Sequence, residues 1–273
     1  MRRVLVVLAA GALWAVTACA GGHAGRNAVT DDSLKRAVAQ WAAFPAGRHP
    51  RPIVLLDDLP LLTGEAKAAN RAELSARLPG DDPGPAMVAL PDQEARLSRI
   101  SAAEAYGAMA ARLARTRGEP RPIRITGSRY EEREWATDRG PLSLPTWTFL
   151  AEGGGTAAWP ALTPDAFWRP GELRSSGSLG VISVDPEGTR LVALMDWPRA
   201  GCDGEAPQIE VLRRESEAVV LIGLRETGSR DDDCVQSAFG LLKEQVFELG
   251  SPLGGRVVID PLGNPAHVRR SQG

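Results

Sequence analysis

The side chains best equipped for chemistry are few in this chain. Histidine occurs three times, at His23, His49 and His267, and cysteine three times, at Cys19, Cys202 and Cys234. A catalytic or metal-binding histidine needs a rigid setting and a partner that orients its ring. His23 lies beside glycines, His49 beside Pro50, and His267 close to the C-terminus; these are settings of exposed loop histidines. No H-E-x-x-H pair, no G-x-S-x-G elbow and no S-x-x-K motif occurs, and Gly177-Ser178-Leu179-Gly180 has the wrong spacing for an elbow. Gly153-Gly154-Gly155 lacks the Lys and the Ser or Thr with which a phosphate loop grips its nucleotide. The pattern therefore assigns no catalytic residue, no metal site and no cofactor.

Carboxylates and aromatics remain. Glu131, Glu132 and Glu134, beside Tyr130 and Trp135, are the residue types of a glycan site: paired acids and an aromatic platform. On an alternating strand Glu132 and Glu134 share one face, the ordinary arrangement of a solvated sheet surface. Two further acidic stretches, Cys202-Asp203-Gly204-Glu205 and Asp231-Asp232-Asp233-Cys234, carry the hard oxygens that Ca²⁺ takes. Their spacing is not that of an EF-hand, and such runs ordinarily keep a β-edge soluble. Trp147 reads as core. Trp159 and Trp168, in a stretch rich in glycine and proline, are the side chains expected to contact a ligand.

The cysteines point to a compartment. Arg2 and Arg3 precede an uncharged apolar run over residues 4–18, too short to span a bilayer and of the length of a signal-peptide core. The run ends Val16-Thr17-Ala18-Cys19. This resembles the bacterial lipobox, although Val16 and Thr17 are not its commonest residues. The resemblance implies cleavage before Cys19 and acylation of that cysteine, which anchors the chain to the cell membrane on its extracytoplasmic face. Gly21, Gly22 and Gly25 then form a tether. With Cys19 lipidated, Cys202 and Cys234 are left as a pair, and in an oxidising compartment such a pair is expected to form a disulfide.

The whole chain has 273 residues, 43% hydrophobic and 24% charged, with a formal net charge of −2. That is an ordinary globular balance, and nothing in it is basic enough for nucleic acid. The expected organisation is a signal peptide over 1–18, a lipid-anchored tether over 19–32, an α+β region over 33–152, an irregular connection over 153–178 and an antiparallel β region over 179–273. The fold class expected is α+β: a helix-containing N-terminal half, and an antiparallel β-rich C-terminal half built from hairpins.

The elements follow from pattern. Thr30 to Ser33 supply cap residues before a helix with Leu34, Val38 and Trp41 on one face. Residues 52–56 form an apolar run expected as a buried strand, and residues 64–78 read as a helix or helical loop. Ser101 and Glu104 form an S-x-x-E capping box for the clearest helix, with Arg112, Arg115 and Arg117 near its end. Residues 122–135 and 144–152 read as strands, with Trp147 and Phe149 on one face and Thr146 and Thr148 on the other. Three hairpins are expected beyond residue 179, turning near 185–188, 215–217 and 250–255. Val219 to Leu224 is apolar almost throughout, as in a strand covered on both faces. From Gly263 the chain reads as a polar tail.

Taken together, the segments LPTWTFL, CDGEAPQIEVLRRESEAVVLIGLRET and CVQSAFGLLKEQVFELGSPLGGRVVID, with PIVLLDD and ISAAEAY upstream, are similar to uncharacterised actinobacterial lipoproteins and secreted proteins. That resemblance implies no catalytic residue. The function expected is a non-catalytic binding or interaction module of the cell envelope, with an envelope protein or glycan as partner. The alternative is an exported, carboxylate-dependent hydrolase acting on an envelope glycan.

Replacing Cys19 with Ala is expected to release the protein from the membrane fraction and to abolish incorporation of a palmitate label. A variant that stays membrane-bound with its label intact would overturn the anchor.

Overall fold

The computed structural model describes residues 29–80, 84–116, 118–168, 179–198, 208–227 and 241–270. Among these residues there are fourteen strands and only two α-helices. This corrects the expected α+β class: the chain is mostly β, with several sheets, and its N-terminal half is not a helical one. Residues 64–78 show the reason. This Ala- and Glu-rich stretch is taken up by a 3-10 turn, Gly64–Ala68, and a short strand, β2 (Arg71–Leu74), which pairs in parallel with residues 122–125. Helix propensity is worth only tenths of a kcal/mol per residue, so pairing along an existing sheet edge overrides it.

Both α-helices begin at capping boxes. In α1 (Asp31–Ala39), the amide of Ser33 donates to Thr30 Oγ1 at 3.2 Å and the amide of Thr30 to Ser33 Oγ at 3.0 Å. In α2 (Ala102–Leu113), the amide of Ser101 donates to the Glu104 carboxylate at 2.8 Å, and Glu104 returns its own amide to Ser101 Oγ. The S-x-x-E signature thus starts a helix where it is expected.

The first lobe is a five-stranded sheet. Its order is β1 (Leu61–Thr63), β7 (Thr156–Pro160), β6 (Gly140–Ala151), β5 (Pro122–Thr137) and β2. The long β5–β6 hairpin is its spine. Trp147 and Phe149 face α2 and pack with Met109 and Ile125, while Leu142 and Leu144 lie on the opposite face with Trp135. That second face is covered by a separate hairpin, β3 (Ala86–Ala89) and β4 (Glu94–Leu97), through Val88 and Ala95. Strand β7 falls inside the stretch read as irregular.

The second lobe stacks two sheets. One has the order β10 (Ile209–Glu215), β11 (Val219–Glu226), β13 (Val257–Ile259). The other has the order β12 (Leu241–Glu248), β9 (Arg190–Trp197), β8 (Leu179–Val184), β14 (Val268–Arg270). Val220 and Ile222 of β11 point into the space between the sheets. Val219 and Leu221 point the other way, onto Leu34, Ala37 and Trp41 at α1. The unbroken apolar run of β11 follows from this covering on both faces.

Two hairpins form as expected and the third does not. β12 pairs antiparallel with β9, and β13 runs parallel to β11. Val257, Val258 and Ile259 are all buried, and only an interior position covers both of their faces. The expected tail is also structured: β14 pairs in parallel with β8, and Trp41 Nε1 donates to the Gly263 carbonyl at 2.9 Å.

The two lobes meet at residues 51–55 and at the tip of the β5–β6 hairpin. The apolar run there is a seam and not a regular strand. Ile53 and Leu55 enter the core of the first lobe and Val54 that of the second, and only single bridges to Phe167 and Thr137 tie the run to neighbours. Beside it the Arg51 guanidinium, 4% exposed, pairs with the Asp138 carboxylate, 3% exposed. Arg51 Nε donates to the Gly255 carbonyl at 2.6 Å, and its guanidinium lies 4.9 Å from the Phe44 ring centre. Gly255 is required here, because a Cβ would overlap the Ala46 carbonyl.

Removing one partner of a buried ion pair leaves the other charge uncompensated, at a cost of about 3–5 kcal/mol, whereas an apolar replacement of both is often neutral. Arg51→Met and Asp138→Leu are each expected to destabilise the chain by about that amount in urea denaturation. The double variant is expected to lose much less than the sum, and strict additivity would refute the pairing.

Candidate functional site

A cleft of about 1100 Å³ opens between the lobes. Such a volume lies at the upper end of small-molecule sites, and an interdomain groove is a common place for one. Four parts of the chain build it. Residues 55–59 leave the seam along one side, and α2 runs along another with Ala108, Ala111, Arg112 and Arg115. The end of β7 and the residues after it bring Trp159, Leu162 and Phe167, and the second lobe closes the groove with Leu179, Gly180 and residues 264–267.

The wall is mainly aliphatic and aromatic, formed by Leu55, Leu59, Ile100, Trp159, Phe167 and Leu179. Ala108 and Ala111 present small side chains where a larger residue would fill the space. Three of the charged groups are engaged by the fold itself. Asp57 accepts the Ala136 amide at 2.7 Å, the Glu104 carboxylate completes the cap of α2, and Arg112 Nε donates to the Leu59 carbonyl at 3.3 Å. Asp58 and Arg115 are exposed at the rim. Among the described residues no three His, Cys, Asp or Glu side chains come together in a way that would hold a metal ion.

The two tryptophans expected to contact a ligand separate. Trp159 stands opposite Trp147 in the β6–β7 register and lines the cleft. Trp168 lies elsewhere, packed edge-on against Phe44 with ring centres 5.7 Å apart. The glutamates of the glycan reading are not brought together. Glu131 turns to the opposite face of β5 from Glu132 and Glu134, and none of the three lines the cleft. Glu131 accepts from Thr148 Oγ1 at 2.6 Å, and that hydrogen bond, with Arg129 beside it, holds its carboxyl below the usual range. Cys19, Cys202, Cys234, His23 and both acidic stretches beside Cys202 and Cys234 lie outside the described residues.

His267 departs from its expected place in an exposed tail. Pairing of β14 with β8 carries it to the cleft wall, half-buried, against the hairpin tip. A Cβ on Gly140, which has a φ of +106°, would lie 3.4 Å from His267 Nε2. Burial lowers the imidazole pKa, and Arg269 adds to this, while Asp138 opposes it. Sequence reasoning missed His267 because the strand that places it is three residues long and pairs with a segment about 85 residues away. It missed Asp57, Ala108 and Ala111 for the same reason: the cleft is assembled from separated segments and carries no local motif.

No family model matches the chain, and no curated protein or solved structure does.

The lowered His267 pKa sets a direction for stability against pH. Above the ordinary histidine value near 6.5 the imidazole is neutral folded and unfolded, and contributes nothing to the difference. As pH falls through that value the unfolded chain takes up the proton first, so stability falls. Thermal melts between about pH 7 and 5 are expected to show a loss that His267→Gln reduces; equal slopes for the two proteins would refute this.

Proposed function

We propose that the chain is a ligand-binding module, anchored through Cys19 to the extracytoplasmic face of the cell membrane, whose interlobe cleft takes a small molecule with an apolar body. The observation that carries this is the cleft itself: about 1100 Å³, between two lobes, with Trp159 in a mainly apolar wall. Burial of apolar ligand surface supplies the driving force, roughly 25 cal/mol for each Å² removed from water. Residues from both lobes touch the space, so a bound ligand bridges the seam. Two of the carboxylates in the cleft are committed to the fold: Glu104 caps its helix and Asp57 holds the Ala136 amide. The lipobox-like sequence supports the anchor, and the mainly apolar wall supports a hydrophobic envelope component as the partner in place of a glycan.

The test uses a neutral apolar dye, N-phenyl-1-naphthylamine, with the purified chain. Its fluorescence is expected to rise saturably on binding. Ala108→Trp fills the cleft from a half-buried helix position and is expected to weaken binding by at least about tenfold, equivalent to about 1.4 kcal/mol. No fluorescence rise, or one that Ala108→Trp leaves unchanged, would remove the cleft as the site.

A further inference from the structure

A second, smaller pocket of about 170 Å³ lies on the other side of the seam. Its lining includes three arginines from separate places: Arg48, Arg51 at the start of the seam, and Arg96 on β4. Ser98, Thr163 and Asp165 complete its polar wall. Arg51 is 4% exposed, and all three of its guanidinium nitrogens already donate, Nε to the Gly255 carbonyl and Nη1 and Nη2 to the Asp138 carboxylate. Five N–H groups leave an arginine with donors to spare after three such bonds, and the pocket adjoins this side chain. Arg48 and Arg96 stand exposed at the mouth.

Arg139 belongs to the joint around Arg51 and Asp138 but does not itself line the pocket. Arg139, next in sequence to Asp138, donates Nη1 to Asp92 at 3.1 Å, yet its Nε and Nη2 are buried with no acceptor. Arg51 acts on it electrostatically. This quarter of the molecule therefore gathers more guanidinium donors than the nearby carboxylates satisfy. Planar guanidinium forks match tetrahedral oxyanions well.

We propose that this pocket binds a phosphate-type oxyanion that keeps one O–H, with Arg48, Arg51 and Arg96 as donors and Asp165 as the acceptor of that O–H. The carboxylate selects among anions. Near neutral pH inorganic phosphate retains a proton that Asp165 can accept, whereas sulfate has none and meets only repulsion. The site shares no lining residue with the cleft. A bound anion would neutralise charge next to the Arg51–Asp138 pair and so tighten the seam.

The experiment is a set of thermal melts of the purified chain at pH 6.5 in sodium phosphate, sodium sulfate and sodium chloride at matched ionic strength. Phosphate is expected to raise Tm saturably by about 2–4 °C, a size typical of a one-site effect in a chain of this length, and sulfate by clearly less. The double variant Arg48→Gln/Arg96→Gln alters only exposed side chains and is expected to lose the phosphate shift. Asp165→Asn is expected to bring sulfate up to phosphate. Glycerol 3-phosphate separates two sources of the same chemistry: a midpoint below that of inorganic phosphate assigns a phosphomonoester, and one above it the free ion. Equal shifts in phosphate and chloride, or a full phosphate shift in the double variant, would overturn the site. A sulfate shift as large as that of phosphate in the unaltered chain would overturn the selective role of Asp165.

Discussion

The buried pair between Arg51 and Asp138 is the constraint on which the rest of the molecule turns. Asp138 lies at the tip of the longest hairpin of the first lobe, and each of its polar groups is used to hold that tip in place. Its amide donates to the Val54 carbonyl at 3.1 Å and its carbonyl accepts the Val268 amide at 3.0 Å. Its carboxylate receives Arg51, which in turn reaches Gly255 in the second lobe. A hairpin tip is ordinarily solvated. This one is buried because a cation, the seam segment and a C-terminal strand converge on it. An unpaired charge in that position would be costly, so the pair also selects one docking of the lobes over its alternatives.

From that docking the cleft follows. The seam run places Leu55 in the first core, and the chain then leaves along the groove as residues 56–59. The Val268 amide bonded to Asp138 sets where β14 starts, and with it where His267 and Pro265 stand on the opposite wall. On the first lobe the wall is α2, held at its start by the Ser101–Glu104 box and on its inner face by Ala105, Met109 and Leu113. With that stripe buried, Ala108, Ala111 and Arg112 turn outward, and helical spacing puts them in one row. The shape of the cleft is thus a consequence of how core residues are spent elsewhere, and its apolar lining is what remains exposed between two cores.

Local signals were legible in the sequence and long-range ones were not. Both caps, the faces of β6, the two short-turn hairpins and the double covering of β11 follow from spacing within about ten residues. The errors all involve partners far apart in the chain. Residues 244–260 looked like a hairpin because two apolar runs flank a Gly- and Pro-rich loop, yet Phe247 and Val246 pair with β9 while Val257 joins β11 in parallel. Residues 263–270 looked polar because half of a short edge strand faces solvent. Residues 64–78 looked helical because propensity is the only signal there, and a sheet edge outweighs it. The cleft inherits these errors: Trp159 stands out in the sequence because an aromatic in an irregular stretch is conspicuous, whereas Ala108 and His267 mean nothing until β14 and α2 are set on facing walls.

Buried guanidinium groups are normally matched by carboxylates, and Arg51 obeys that rule with Asp138. Arg139 obeys it only in part: its Nη1 meets Asp92 at 3.1 Å, while Nε and Nη2 are buried without an acceptor and the burial lowers its pKa. Leaving such donors unmet costs on the order of 1–3 kcal/mol each, a large share of the margin by which a domain is stable. The small pocket beside this joint is lined by Arg48, Arg51 and Arg96 and not by Arg139, so a phosphate-type anion held there acts on the joint through Arg51. A ligand in the cleft and an anion in the small pocket would then act on the same equilibrium from opposite sides, because both favour the docked lobes over any arrangement in which Asp138 leaves Arg51. Two ligands that each stabilise one state are coupled through that state even when they never touch.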